Sequence, residues 1–312
     1  MIELILEDYL SSLREKDELD FLFSDLLKLD GFIVKTLPKT GERQYGVDLL
    51  AVKNDEVYLY VIKQGDLTRA TWDGDKNSVR QSFAEIFDVY MGTMLDSSYR
   101  NKRKNIVFVT NGIILDAVRP NWEGYKSKHS NENINISSIL LPDLVSLVLR
   151  LGFNETLFDK NMRSELRKCL YYLDEPDYKL DFFESIVEKY FKELEKASTE
   201  KKRIKVFSSL RMLLGLVIQN ANDRQRYRIS IQFTEYVLIV MWHYMKKNVN
   251  AQSPSTYTPN NLSPIMDLSY LVVFAYCLAH VACARGCQGK SSSNASLETC
   301  ARLGMRSNRN SK

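Results

Sequence analysis

Residues 47–63, VDLLAVKNDEVYLYVIK, decide how the rest of the chain is read. Val47 to Val52 suits a strand, Lys53-Asn54-Asp55-Glu56 is a hairpin turn by its Asn-Asp pair, and Val57 to Lys63 is the strongest strand in the chain. In such a hairpin a carboxylate near the start of the first strand lies across from the second strand. A lysine near the end of that second strand approaches the same spot when the two side chains share a face. Asp48 and Lys63 stand in this relation. The pair suits Mg²⁺-assisted phosphodiester hydrolysis. The acid holds a hard cation through oxygen, the cation activates water and neutralises developing charge, and the lysine positions that water or stabilises the phosphorane-like charge.

Working outward, Glu18 to Leu29 places Leu19, Leu22, Phe23, Leu26 and Leu27 on one helical stripe, closed by Asp30-Gly31. Phe32 to Leu37 alternates as a short strand, and Pro38 to Gln44 is a loop by composition. Beyond the hairpin, Gly65 through Gly74 reads as a linker and Ser78 to Met94 as a helix. Ile106 to Thr110 is almost wholly apolar, as expected of an interior strand. A loop holding Pro120, Asn121 and Trp122 leads to a last strand over Ile134 to Leu140, and Leu141-Pro142-Asp143 opens a helix to Leu151. The order predicts an α/β fold, a sandwich built on a mixed sheet.

Read together, Gly46-Val47-Asp48, the hairpin, and Val61-Ile62-Lys63-Gln64-Gly65-Asp66 resemble the restriction-endonuclease-like superfamily, the PD-(D/E)XK nucleases. The chain looks most like nuclease domains of bacterial restriction and anti-phage defence proteins. In these a helix precedes Gly-x-Asp and a Lys-Gln-Gly-Asp-like segment follows the third strand. The resemblance covers roughly residues 15 to 150 and implies a restriction-endonuclease-like fold, an endonuclease acting on DNA, and Mg²⁺ or Mn²⁺ as cofactor. It implies Asp48 as metal ligand and catalytic residue, and Lys63 as its catalytic partner.

One departure bears on activity. The family motif has Glu, Asp or Gln two residues before the lysine, and this chain has Val61. Either the acid has migrated, as in some branches of the superfamily, or the site is inactive. Replacement candidates are Glu18 and Asp20 at the first helix, Glu42 in the loop, Asp66 past the lysine, and Glu85 on the second helix. Related nucleases often add a first-helix acid, which favours Glu18. Gln64 joins them as a supporting residue.

For nucleic-acid contact, Arg43 and Gln44 flank Asp48 in sequence, and Arg80 lies on the second helix with Gln81 and Glu85. Lys102, Arg103 and Lys104 form the densest basic cluster before the tail, and a solvated turn before a buried strand explains them better than contact with a DNA backbone. Trp72 and Trp122 read as packing anchors before base-stacking platforms. His129, His243 and His280 give no catalytic pairing.

From about Thr156 the pattern turns helical: Met162 to Leu173, Tyr178 to Lys196, Lys205 to Asn220 and Ile229 to Lys247. We therefore expect a nuclease-like domain over 1–152 and a helical domain over 153–250, serving as sensor, oligomerisation or partner-docking module. A linker, one apolar helix at 267–284 and a disordered basic tail complete 251–312. That tail holds six Lys/Arg against Glu298, which leaves −1 of the total charge of +4 for everything before it. Any phosphate-binding surface must then be a local patch.

Cys169, Cys277, Cys283, Cys287 and Cys300 lack paired C-x-x-C spacing, which argues against a zinc site and for a reducing, cytoplasmic setting. The acidic start, MIELILEDY, does not read as a signal peptide. The apolar stretch Leu268 to Ala284 is short for a membrane span. Two functional expectations result. One is a nuclease with a metal centre at Asp48 and Lys63. The other is a catalytically inactive module on the same scaffold that binds nucleic acid or protein, marked by Val61.

Overall fold

A computed structural model describes residues 2–36, 44–75, 77–152 and 154–251. The chain begins with α1 (Ile2–Ser12), a kinked turn at Glu15–Leu19, and α2 (Asp20–Leu29). Next come β1 (Ile33–Thr36), β2 (Leu49–Lys53), β3 (Glu56–Lys63), α3 (Arg69–Asp73) and α4 (Val79–Glu85). The last of these runs on with π-type winding over Ile86–Met94. β4 (Lys104–Thr110), α5 (Arg119–His129), β5 (Ile134–Ile139) and α6 (Leu141–Leu151) follow. The remainder is helical: α7 (Lys160–Tyr171), α8 (Asp181–Lys196), α9 (Glu200–Asp223) and α10 (Tyr227–Ala251). From Gln252 onward the linker, the apolar segment 267–284 and the basic tail lie outside the described residues, as do Glu42 and Arg43.

The protein is mixed α/β. Its five strands lie in the order β1-β2-β3-β4-β5. The first three form an antiparallel meander, and β4 and β5 add in parallel. Asn54 and Asp55 take positive φ values of 50° and 66° in the β2–β3 turn, the left-handed conformation that two-residue hairpins require and that Asn and Asp tolerate. The parallel β3-to-β4 step needs a crossover, supplied by α3 and α4. β4 sits between β3 and β5, which accounts for its unbroken apolar run.

Side chains alternate between the faces of β3. Val57, Leu59 and Val61 join one apolar cluster with Phe83 of α4, Trp72 of α3 and Trp122 of α5. Tyr60, on the other face, packs edge-on against Phe23 of α2 at 5.0 Å. Both tryptophans are buried in this core, 6.0 Å apart, as packing anchors.

Three elements differ from expectation. The linker after Gly65 contains α3, started by a reciprocal cap in which Thr68 Oγ1 accepts from the Thr71 amide and Thr71 Oγ1 from the Thr68 amide. The supposed loop at Pro120 is α5, with Pro120 in its first turn where no amide donor is needed. Only Trp122 of α5 is buried, so its apolar stripe is too sparse to register as a period. The opening residues form α1, which buries Ile5, Leu6, Tyr9 and Leu10.

The chain divides into two compact units. The sheet-bearing unit runs through Tyr172 and takes in 179–217, so α7, α8 and most of α9 belong with it. The second unit comprises, among the described residues, 173–178 and 218–251. Within it, the Arg226 guanidinium donates to the carbonyls of Asp174 and Glu175, and Tyr178 packs edge-on against Phe233. Among the described residues one helix, Glu200–Asp223, is long and apolar enough to cross a bilayer. More than half of that apolar stretch is buried inside the fold.

Candidate active site

The site begins at a glycine. Gly46 has φ +83°, and a Cβ there would stand 2.1 Å from the Ser82 carbonyl oxygen of α4. Only glycine combines that backbone with so close a helix. Two residues on, the Asp48 amide donates to the Tyr60 carbonyl at 2.9 Å, and Asp48 Oδ2 accepts from the Ile62 amide at 2.8 Å. Leu49 pairs with Tyr60, so Asp48 lies opposite Val61. Lys63 falls two residues further along β3, on the same face.

Asp48 and Lys63 both line a cavity of about 480 Å³ at the end of the sheet, together with Gln44, Tyr45, Gln81 and Glu85. Burial pushes the Asp48 carboxyl up from its ordinary 3.8 to about 6. The Lys63 charge and the Ile62 amide oppose that rise, while Glu15 and Asp20 add to it. Lys63 Nζ lies 3.5 Å from Glu15 Oε1. Asp20 is almost fully buried; its own carboxyl is raised by burial first, and its Oδ1 accepts from the Phe21 amide.

The remaining candidates scatter. Glu18 turns away, bonded to Arg14 and Lys205. Asp66 Oδ1 accepts from the Ile113 amide at 2.9 Å, which ties two loops together. Gln64 is exposed, and Arg80 pairs with Asp73 at 2.5 Å. The basic cluster sits at the far end of β3, where Lys104 pairs in register with Val57. Six residues of strand put it roughly 20 Å from Lys63. There Lys102 pairs with Asp55, Arg103 reaches Glu56, and Lys104 Nζ donates to the carbonyls of Arg100 and Lys102.

Two contributors were not anticipated. Glu15 lies in a charged run, Arg14-Glu-Lys-Asp-Glu18, with no periodicity to single it out. Asn111 reads as a strand-end turn residue, yet it is buried. Its Nδ2 donates to the carbonyls of Leu10 and Leu13 at 2.8 Å each, and its Oδ1 accepts from the Gly65 amide at 2.8 Å. Asn111 thus ties the end of α1, two residues before Glu15, to the strand end that carries Lys63.

Among the described residues no three His, Cys, Asp or Glu side chains converge as a metal-binding group. Mg²⁺ is commonly held by only one or two carboxylates, its shell completed by water and substrate phosphates. Asp48 and Glu85 in one polar-lined cavity fit that sparser kind of site. Compared with family models, curated proteins and solved structures, the chain finds no match.

Proposed function

We propose that the protein is a metal-dependent nuclease of the restriction-endonuclease-like type that hydrolyses phosphodiester bonds, with DNA as the expected substrate. The observation that carries this reading is the meeting of Asp48 and Lys63 in one cavity at the sheet's end. The strand order supports it as well. An antiparallel meander followed by helix and parallel strand is the arrangement the superfamily resemblance calls for. The α/β sandwich belongs to the same proposal.

In this reading Asp48 and Glu85 hold Mg²⁺ or Mn²⁺. The ion, when bound, lowers the pKa of water and neutralises charge on the phosphoryl oxygens. Lys63 orients the attacking water or stabilises the developing negative charge. Gln44 and Tyr45 on the rim contact the sugar-phosphate chain. Glu15 holds the Lys63 ammonium from the α1–α2 turn. A role in anti-phage defence, and a sensing, oligomerising or partner-docking role for the helical part, rest on the resemblance alone.

Val61 favours a second reading, a binding module without catalysis. It is 0% exposed and packed in the core where the family places a ligand. The two separate in a cleavage assay on plasmid and single-stranded substrates, with and without Mg²⁺ or Mn²⁺. Cleavage that depends on the ion supports the nuclease. Binding without cleavage under every condition supports the inactive module.

A further inference from the structure

A second cavity, of about 320 Å³, opens elsewhere in the sheet-bearing unit, among the α1–α2 turn, α7, α8 and α9. That volume is within the range of small-molecule sites. We propose that it binds a small organic cation, an ammonium- or amidinium-type group on an apolar body.

Charge decides the sign of the ligand. Lys205 is taken by Glu18, and Arg163 by Asp25 at 2.8 Å. Asp17, Asp159 and Glu193 also line the cavity, and none has an ion-pair partner among the described residues. Burial raises the Glu193 carboxyl, and the nearby Asp159 charge raises it further. The charge of a bound cation opposes that rise.

An independent observation points to a ligand. The Tyr190 side chain lines the cavity, is only 5% exposed, and makes no hydrogen bond among the described residues. Its hydroxyl has no protein partner among those residues, and a ligand donor or acceptor in the cavity would supply one. By contrast, the neighbouring Tyr9 hydroxyl donates to the Leu157 carbonyl. Tyr9 and Phe158, with ring centroids 6.2 Å apart, line the apolar side of the cavity.

The site does not depend on the reading of the first cavity, and its test reads binding heat, not cleavage. Benzamidine and phenethylamine are titrated into the full chain by calorimetry, with neutral benzamide as the control. At least one cation is expected to bind with one-to-one stoichiometry, and benzamide at least roughly tenfold more weakly. Tyr190→Phe and Glu193→Gln are each expected to weaken the cation by roughly three- to tenfold while leaving the melting curve cooperative. Failure of both cations to bind at millimolar concentration overturns the proposal. Equal binding of benzamide, or unchanged binding in both variants, does so too.

Discussion

Glu15 and Lys63 face each other across 3.5 Å, although 47 residues separate them in the chain. The same lysine is the strongest influence holding the Asp48 carboxyl down against its burial. One ammonium therefore serves two carboxylates, one from the hairpin and one from the turn after α1. Asn111 holds that turn in place from the end of β4.

Glu15→Gln removes one of the charges that raise Asp48. The Asp48 titration midpoint is expected to move below about 6, read by carbon-detected NMR of the carboxyl. Folding stability is expected to change by less than about 1 kcal/mol, because both partners of the ion pair are partly exposed. An unmoved midpoint would remove Glu15 from the site.

Asp48 also sets a pH dependence of stability. Its folded pKa, about 6, lies above its ordinary 3.8, so the fold favours the protonated form. That contribution is complete below about 3.8 and is lost as pH rises through about 6. A rise of that size corresponds to about 3 kcal/mol. Asp48→Asn, which cannot ionise, is expected to gain stability relative to wild type as pH goes from 4 to 7, measured by urea unfolding. A difference between the two proteins that stays flat over this window would contradict the burial of Asp48.

How much of this was legible beforehand varies with the physics of each element. The β2–β3 hairpin announces itself because strand propensity, Asn-Asp turn chemistry and a polar pair at its open end agree. The Asp48–Lys63 meeting follows from a two-residue strand period, which fixes the faces once the turn is placed. Glu15 was not legible, since its position depends on a kinked turn in which Asp17 takes φ +68°. Asn111 was missed because its side-chain hydrogen bonds are tertiary and leave no local mark. The basic cluster was visible, but which end of β3 it occupies emerges only from the β3–β4 register.

Asn111→Ala leaves the Gly65 amide and the carbonyls of Leu10 and Leu13 without that partner. The expected cost is about 2–4 kcal/mol in urea unfolding. Loosened protection of residues 10–19 in hydrogen exchange should accompany it. A cost below about 0.5 kcal/mol would show that the tie does not support the turn.

Val61→Glu places a carboxylate where the family motif has one, in a position that is now fully buried. Without metal the variant is expected to lose about 3 kcal/mol or more. Mg²⁺ is expected to raise its melting temperature by more than it raises that of wild type, through linkage of binding to folding. Equal Mg²⁺ effects on the two proteins would argue that the position opposite Asp48 does not face a cation.

The most direct test of the account is cleavage by Asp48→Ala and Lys63→Ala beside the wild-type protein, on plasmid and single-stranded DNA with Mg²⁺ or Mn²⁺. Ion-dependent cleavage by wild type is expected, and its loss in both variants, each keeping the wild-type circular dichroism spectrum. Cleavage retained by both variants would contradict it.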